Sequence, residues 1–147
     1  MSVTIAARRE IVAVCRRLYQ RGLIAGPDGN VSVRIAPDRI LVTPAGLSKV
    51  AVQEHELVEL TLDGKRVRGS HRASSEVAMH LRAYRRRPDV NAVVHAHPPV
   101  ATGFAVAGED FVGNVGRRLH QVQIGLLLEP LLDDLHVQQA QESTAEA

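Results

Sequence analysis

The sequence predicts an α/β domain, and three observations carry that expectation. An amphipathic helical pattern spans residues 4–22. Short strands separated by tight-turn residues fill residues 31–68. A further apolar strand over residues 89–96 ends in a histidine pair and is flanked by helical patterns at 73–88 and 98–107.

The chain has 147 residues, enough for one domain with a real core. Hydrophobic residues make up 45% and charged residues 23%, the balance of a globular protein. Aromatics are 3% with no Trp, so the core must be built from Val, Leu, Ile and Ala. Eighteen basic against sixteen acidic residues give a net charge of +2, too balanced to argue for nucleic acid despite a pI near 9.1. The cluster Arg82, Arg85, Arg86 and Arg87 reads as a solvated helix end that complements the helix dipole. Cys15 is the single cysteine, which excludes an internal disulfide and suggests a core thiol in a reducing compartment. Met1 to Arg9 does not read as a signal peptide, and no apolar run is long enough to span a bilayer. The expectation is a soluble cytoplasmic protein without nucleic-acid or membrane partners.

Each element has its own signal. In the first helix Ala7, Ile11, Val14, Cys15, Leu18 and Tyr19 repeat at helical spacing, with Thr4 placed to cap it and Gly22 to end it. Gly26, Pro27, Asp28, Gly29 and Asn30 dictate tight turns. Val31, Val33 and Ile35 alternate with Ser32 and Arg34, a half-buried strand, and Arg39 to Thr43 returns beside it after the Pro37-Asp38 turn. Thr43-Pro44-Ala45-Gly46 makes another turn. The Gly29-Asn30 and Ala45-Gly46 turns are either only turns or sites whose backbone N–H groups bind an anion. Residues 47–56 read as a short helix. Leu57 to Leu62 and Lys65 to Arg68 read as a hairpin around Asp63-Gly64, and Gly69 to Arg72 as a basic loop.

Ala73-Ser74-Ser75-Glu76 opens the second helix, with Val77, Leu81 and Tyr84 as its apolar stripe and Pro88 as its stop. The two serines are either helix caps or, at a helix N-terminus, a phosphate site. Glu76 would then lie one turn inside as a base, with His80 on its face four residues later. The strand from Asp89 to Ala96 follows. Pro98 to Ala107 reads as a third helix with Val100, Phe104 and Ala107 inward. From Gly113 onward neither period fits. Leu126 to Leu135 is leucine-rich but interrupted by Pro130, and residues 138–147 have the composition of a disordered tail.

His95 and His97 stand two apart at the end of a strand, so their side chains share a face. They can offer two imidazoles to one metal ion, zinc above all, or one can pack in the core while the other is solvated.

Four segments occur in order: Gly29-Asn30-Val31-Ser32-Val33-Arg34, Ile40-Leu41-Val42-Thr43-Pro44-Ala45-Gly46, Ala73-Ser74-Ser75-Glu76, and Pro88-Asp89-Val90-Asn91-Ala92-Val93-Val94-His95-Ala96-His97-Pro98-Pro99. Together they resemble the class II aldolase/adducin family, over about residues 8–112. The resemblance implies an α/β/α layered domain around a central, mainly antiparallel sheet, incomplete at its C-terminus. It implies a domain over residues 1–112, with 113–147 as a divergent segment. It implies His95 and His97 as ligands of Zn2+ or another divalent metal, and Glu76 as a residue that touches the metal and acts as acid/base. Gly29, Asn30, Gly46, Ser74 and Ser75 would hold the phosphate of a small sugar phosphate. The activity implied is retro-aldol cleavage by a homo-oligomer. Alternatives are epimerisation, dehydration, or a non-catalytic or truncated member serving as an interaction module.

Three departures from the family pattern stand out. The position before Gly46, which often carries a hydroxyl, is Ala45, so one phosphate contact is missing or the substrate lacks phosphate. No downstream histidine occurs in the Asn-His-Gly context of the family's third zinc ligand. His120 and His136 are the later histidines, leaving a shortened chain, a ligand set completed by His120, His136 or Glu76, or a non-catalytic relative. The tyrosines, Tyr19 and Tyr84, match no catalytic tyrosine of the family.

Overall fold

The computed structural model of the chain describes residues 3–107, 124–127 and 136–139. Seven strands run through them: β1 (Asn30–Ala36), β2 (Arg39–Val42), β3 (Val58–Thr61), β4 (Arg66–Arg68), β5 (Ala92–Ala96), β6 (Ile124–Leu127) and β7 (His136–Gln139). Helix α1 (Val3–Gln20) precedes them, α2 (Val77–Arg86) lies between β4 and β5, and α3 (Pro99–Ala107) follows β5. The strands make one antiparallel sheet in the order β4-β3-β2-β1-β5-β6-β7. Four strands form a meander, and β5 then returns to the free side of β1, where Asn30 faces His95 and Ser32 faces Val93.

Strand periodicity sorts the apolar residues into two cores. Val31 and Val33 of β1, Leu41 of β2, and Ala92, Val94 and Ala96 of β5 pack against Ala7, Ile11, Val14, Cys15 and Leu18 of α1. The alternate residues Ile40, Val42, Val58, Leu60 and Val93 pack against Leu81 and Tyr84 of α2. With a helix on each face, the architecture is the expected α/β/α arrangement around an antiparallel sheet. Burial pushes the Cys15 thiol up to about 12, so it is an inert core residue. No helix among the described residues is long and apolar enough to cross a membrane.

Helix α1 ends as Gly22 predicts. Gly22 takes a positive φ of 67°, its N–H bonds the Tyr19 carbonyl, and the Leu23 N–H reaches back to the Leu18 carbonyl. This pair of bonds is a Schellman closure, which glycine favours because the left-handed backbone costs it nothing.

Several local expectations are corrected. Thr4 lies inside α1 rather than capping it, and Tyr19 is 47% exposed because the helix face turned to the sheet is narrower than the apolar repeat. Residues 47–56 contain only a 3-10 turn at Glu54–Glu56. Strand β1 is not half-buried. β5 covers its second edge and α2 its polar face, so Ser32 is fully buried. Arg34 lies over the Tyr84 ring, 4.9 Å from the centroid, and donates to the carbonyls of Tyr84 and Val90. In α3 it is Ala101 that is buried, whereas Val100 and Ala107 are exposed; the Phe104 side chain lies outside the described residues. So do the Gly108-Glu109-Asp110 turn, residues 128–135 of the leucine-rich run, and residues 140–147 of the expected tail.

The two-core arrangement predicts a sharp contrast. Leu41→Ala, which opens a cavity beneath α1, should lower the unfolding free energy by about 2–5 kcal/mol. Tyr19→Ala should change it by less than about 0.5 kcal/mol. Urea melts of both variants, at unchanged m-value, measure the difference.

Candidate functional site

Antiparallel pairing puts Asn30 of β1 directly opposite His95 of β5, on the sheet face that α2 covers. Helix α2 brings its first turn to the same place. Glu76 occupies the N-cap position itself, with φ −94° and ψ 10°, rather than a position one turn inside. Neither serine caps the helix: no side-chain cap bond is made at Glu76, and the Ser74 hydroxyl instead accepts the Glu76 N–H at 3.3 Å. That local turn aims the Glu76 carboxylate at the end of β5.

Glu76 Oε2 accepts from the Asn30 side-chain amide at 2.6 Å and lies 3.0 Å from His95 Nδ1. A carboxylate only accepts, so Nδ1 carries the proton of a neutral His95 and Nε2 is left with its lone pair. That Nε2 is buried without a partner among the described residues, as is Asn30 Oδ1. Burial pushes the His95 pKa down, Glu76 opposes the shift, and His97 adds to it. The His95 and His97 rings meet edge to face with centroids 4.5 Å apart. His97 lies just past β5, where its N–H donates to the Leu23 carbonyl at 3.1 Å.

One donor atom each from Glu76, His95 and His97 falls within 4.8 Å of the others. Donors sharing an ion at about 2.0–2.2 Å stand about 3–4 Å apart, so the spacing of these three is of the order that one ion requires. A carboxylate and two imidazoles, one with an orphaned buried nitrogen, fit a borderline divalent metal. The backbone register leaves His136 apart from them. His95 pairs with Gly125 and Gly125 with Gln138, whereas His136 lies two strands away in the row of Val93. His120 lies outside the described residues.

Beside the three donors opens a cleft of about 340 Å³. Gly29, Gly46, Ser74, Ser75, Glu76 and His97 line it, together with Pro27, Asp28, Ala45 and Lys49. The Gly29 and Gly46 turns share it because β1 and β2 are antiparallel, which brings the start of one beside the end of the other. The Pro44–Ala73 bridge and the Ala45 N–H to Arg72 carbonyl bond tie the second turn to the serine segment. Gly29 is sterically required. Its φ is +70°, and a Cβ there would stand 2.7 Å from Ile24 Cγ2 and 2.8 Å from the His95 carbonyl oxygen. Gly46, at φ +73°, has open space around it. Asn30 does not line the cleft; it stands behind Glu76.

Two features carried no usable sequence signal. Lys49 sits in a short polar stretch with no periodicity, yet it is 2% exposed in the cleft wall. Beneath the donors, Ser32 Oγ contacts both His80 Nδ1 at 2.7 Å and the Tyr84 hydroxyl at 2.8 Å. His80, expected on the face of Glu76, is instead turned into the core by α2, where it makes this bond. His80 Nε2 is buried without a partner among the described residues.

The sequence model of the family described as Class II Aldolase and Adducin N-terminal domain matches residues 9–144. The L-fuculose phosphate aldolase of Methanocaldococcus jannaschii is 37% identical over 95 residues, covering 65% of this chain and 51% of that protein. The methylthioribulose-1-phosphate dehydratase of Acidiphilium cryptum is 35% identical over 99 residues, covering 67% of this chain and 47% of that protein. The crystal structure of L-fuculose-1-phosphate aldolase from Thermus thermophilus superposes with a TM-score of 0.59 at 33% identity, over 68% of this chain and 50% of that one. The chain thus spans about half the length of the curated relatives it matches.

Two outcomes follow from the geometry. Gly29→Ala should cost at least about 1–2 kcal/mol from the left-handed backbone alone, with the contacts to Ile24 and His95 adding to it. His80 is held at a pKa of about 3, against an ordinary 6.5, by burial and then by His95. Between those values the unfolded chain binds the extra proton. The contribution of His80 is therefore complete above pH 6.5 and is lost as pH falls toward 3, by up to about 1.4 kcal/mol per pH unit. Urea midpoints measured from pH 7 to 4 should fall less steeply in His80→Gln than in the wild type.

Proposed function

The chain belongs to the class II aldolase and adducin family, and from that membership we propose that it is a metal-dependent lyase cleaving a small sugar phosphate by retro-aldol chemistry. The convergence of Glu76, His95 and His97 beside a cleft bounded by glycine turns and two serines carries this reading. Residues 1–112 hold both halves of the site, and zinc or another divalent ion is the metal that the donor set suits. Family membership also supports a cytoplasmic homo-oligomer with no nucleic-acid or membrane partner.

When bound, the ion would supply Lewis-acid stabilisation of the negative charge that develops as a carbon–carbon bond breaks beside a carbonyl. The protein's own groups do the rest. His95 and His97 would be its imidazole ligands, and Asn30 fixes the Glu76 carboxylate by its 2.6 Å bond. Glu76 borders the cleft with a side chain 35% exposed, so it can accept a proton from a substrate hydroxyl and return it. The Gly29 and Gly46 turns, with Ser74 and Ser75, hold the phosphate away from the reacting carbons and fix the register. A relative at 35% identity that carries a dehydratase name supports a second reading, loss of water from a sugar phosphate at this site.

The test combines metal content with product identity. Purified protein washed free of loose metal should retain about one divalent ion per chain, and His95→Ala should lose it. Glu76→Gln should cut turnover by about 10²–10⁴-fold. Mass spectrometry of incubations with L-fuculose 1-phosphate and methylthioribulose 1-phosphate separates the two readings: two carbonyl fragments mark the aldolase, and one product short of a water marks the dehydratase. Metal well below one ion per chain, with every sugar phosphate left intact, overturns both.

A further inference from the structure

Lys49 is buried, 2% exposed, and its ammonium donates to the carbonyls of Pro27 at 2.7 Å and Leu47 at 3.0 Å. Among the described residues its third N–H has no partner, and no carboxylate stands within ion-pair distance of it. Cys15 interacts with it electrostatically but is a neutral thiol at pH 7. Asp28 and Glu76 stabilise its charge only at longer range, and burial pushes its pKa down. Its hydrogen-bond partners are both neutral carbonyls, and a buried cation held that way is costly unless something compensates it. Lys49 lines the same cleft as Gly29, Gly46, Ser74 and Ser75, and it is the lysine or arginine in that wall. Its backbone N–H also bonds the Gly26 carbonyl, so one residue ties together the two glycine turns.

We propose that Lys49 is the charge partner of the substrate's anionic group and sets the preference of this cleft for a phosphate-bearing substrate, a proposal that rests on the lyase reading above. A desolvated ammonium in the cleft wall supplies attraction that a neutral sugar cannot use. Asp28 and Glu76 act on that charge only from beyond ion-pair distance, so an incoming anion supplies the direct pair.

The experiment titrates the full-length protein with inorganic phosphate, followed by calorimetry and by melting temperature, in the wild type, Lys49→Met and Lys49→Arg. Phosphate should bind the wild type and raise its melting temperature. Lys49→Met should bind at least tenfold more weakly while keeping its metal content. Lys49→Arg should stay within a few fold of the wild type. A purely structural lysine would leave the phosphate affinity of a folded Lys49→Met intact. Should Lys49→Met fail to fold, the lysine Nζ resonance of the wild type decides: phosphate must shift the signal that Lys49→Arg removes. Equal phosphate affinity in the wild type and Lys49→Met, an Nζ signal unmoved by phosphate, or no phosphate binding by the wild type overturns the proposal. Phosphate binding that depends on Lys49 in a protein that leaves every sugar phosphate intact would support Lys49 and sink the lyase reading.

Discussion

The pairing of β1 with β5 is the constraint on which the rest depends. It sets Asn30 opposite His95, and through Glu76 it fixes where the first turn of α2 must lie. It also closes the second edge of β1, which turns a meander into a sheet with a helix on either side. The hydrogen bonds of that ladder are individually modest, but the buried polar groups they align are expensive to leave unmatched. Asn30, Ser32, His80 and His95 all lie within the α2 core, where each needs a partner. The arrangement that gives each of them at least one partner also draws a carboxylate and two imidazoles together.

As proposed, the site has a chemical end and an anchoring end with different physical demands. At the chemical end His95 is wholly buried, and burial pushes its pKa down, which favours the neutral ring that metal binding needs. The anchoring end is an open cleft made of backbone turns, where Gly29 lets the chain pass against the His95 carbonyl with no room for a side chain. Glu76 belongs to both, since it bonds Asn30 and His95 behind and borders the cleft in front.

Much of this was legible from residue types and spacing. Gly22 ends a helix, Asp63-Gly64 turns a hairpin, and a strand places His95 and His97 together, because each is decided by local backbone geometry. The position of Glu76 beside His95 was legible only together with the other motifs, since its own segment reads equally well as a helix start. What escaped was set by long-range closure. Ser32 and Arg34 look like the solvent side of a strand until β5 and α2 cover them. Val100 looks inward until the orientation of α3 is known, and nothing near Lys49 marks it as buried.

The order of the strands has a consequence for how the chain is made. β1 to β4 are complete by residue 68, and their hairpins can form while the rest is still being synthesised. The other edge of β1 must wait for β5, because Asn30 and His95 are 65 residues apart. During that interval Val31 and Val33 present an unpaired, apolar edge, the kind of surface on which nascent chains stick to one another. The far side of the meander lacks this weakness, because β4 ends the sheet with Arg66 and Arg68 exposed. The hazard in biogenesis therefore lies at the centre of the finished sheet, and the strand that brings the histidines is the one that removes it.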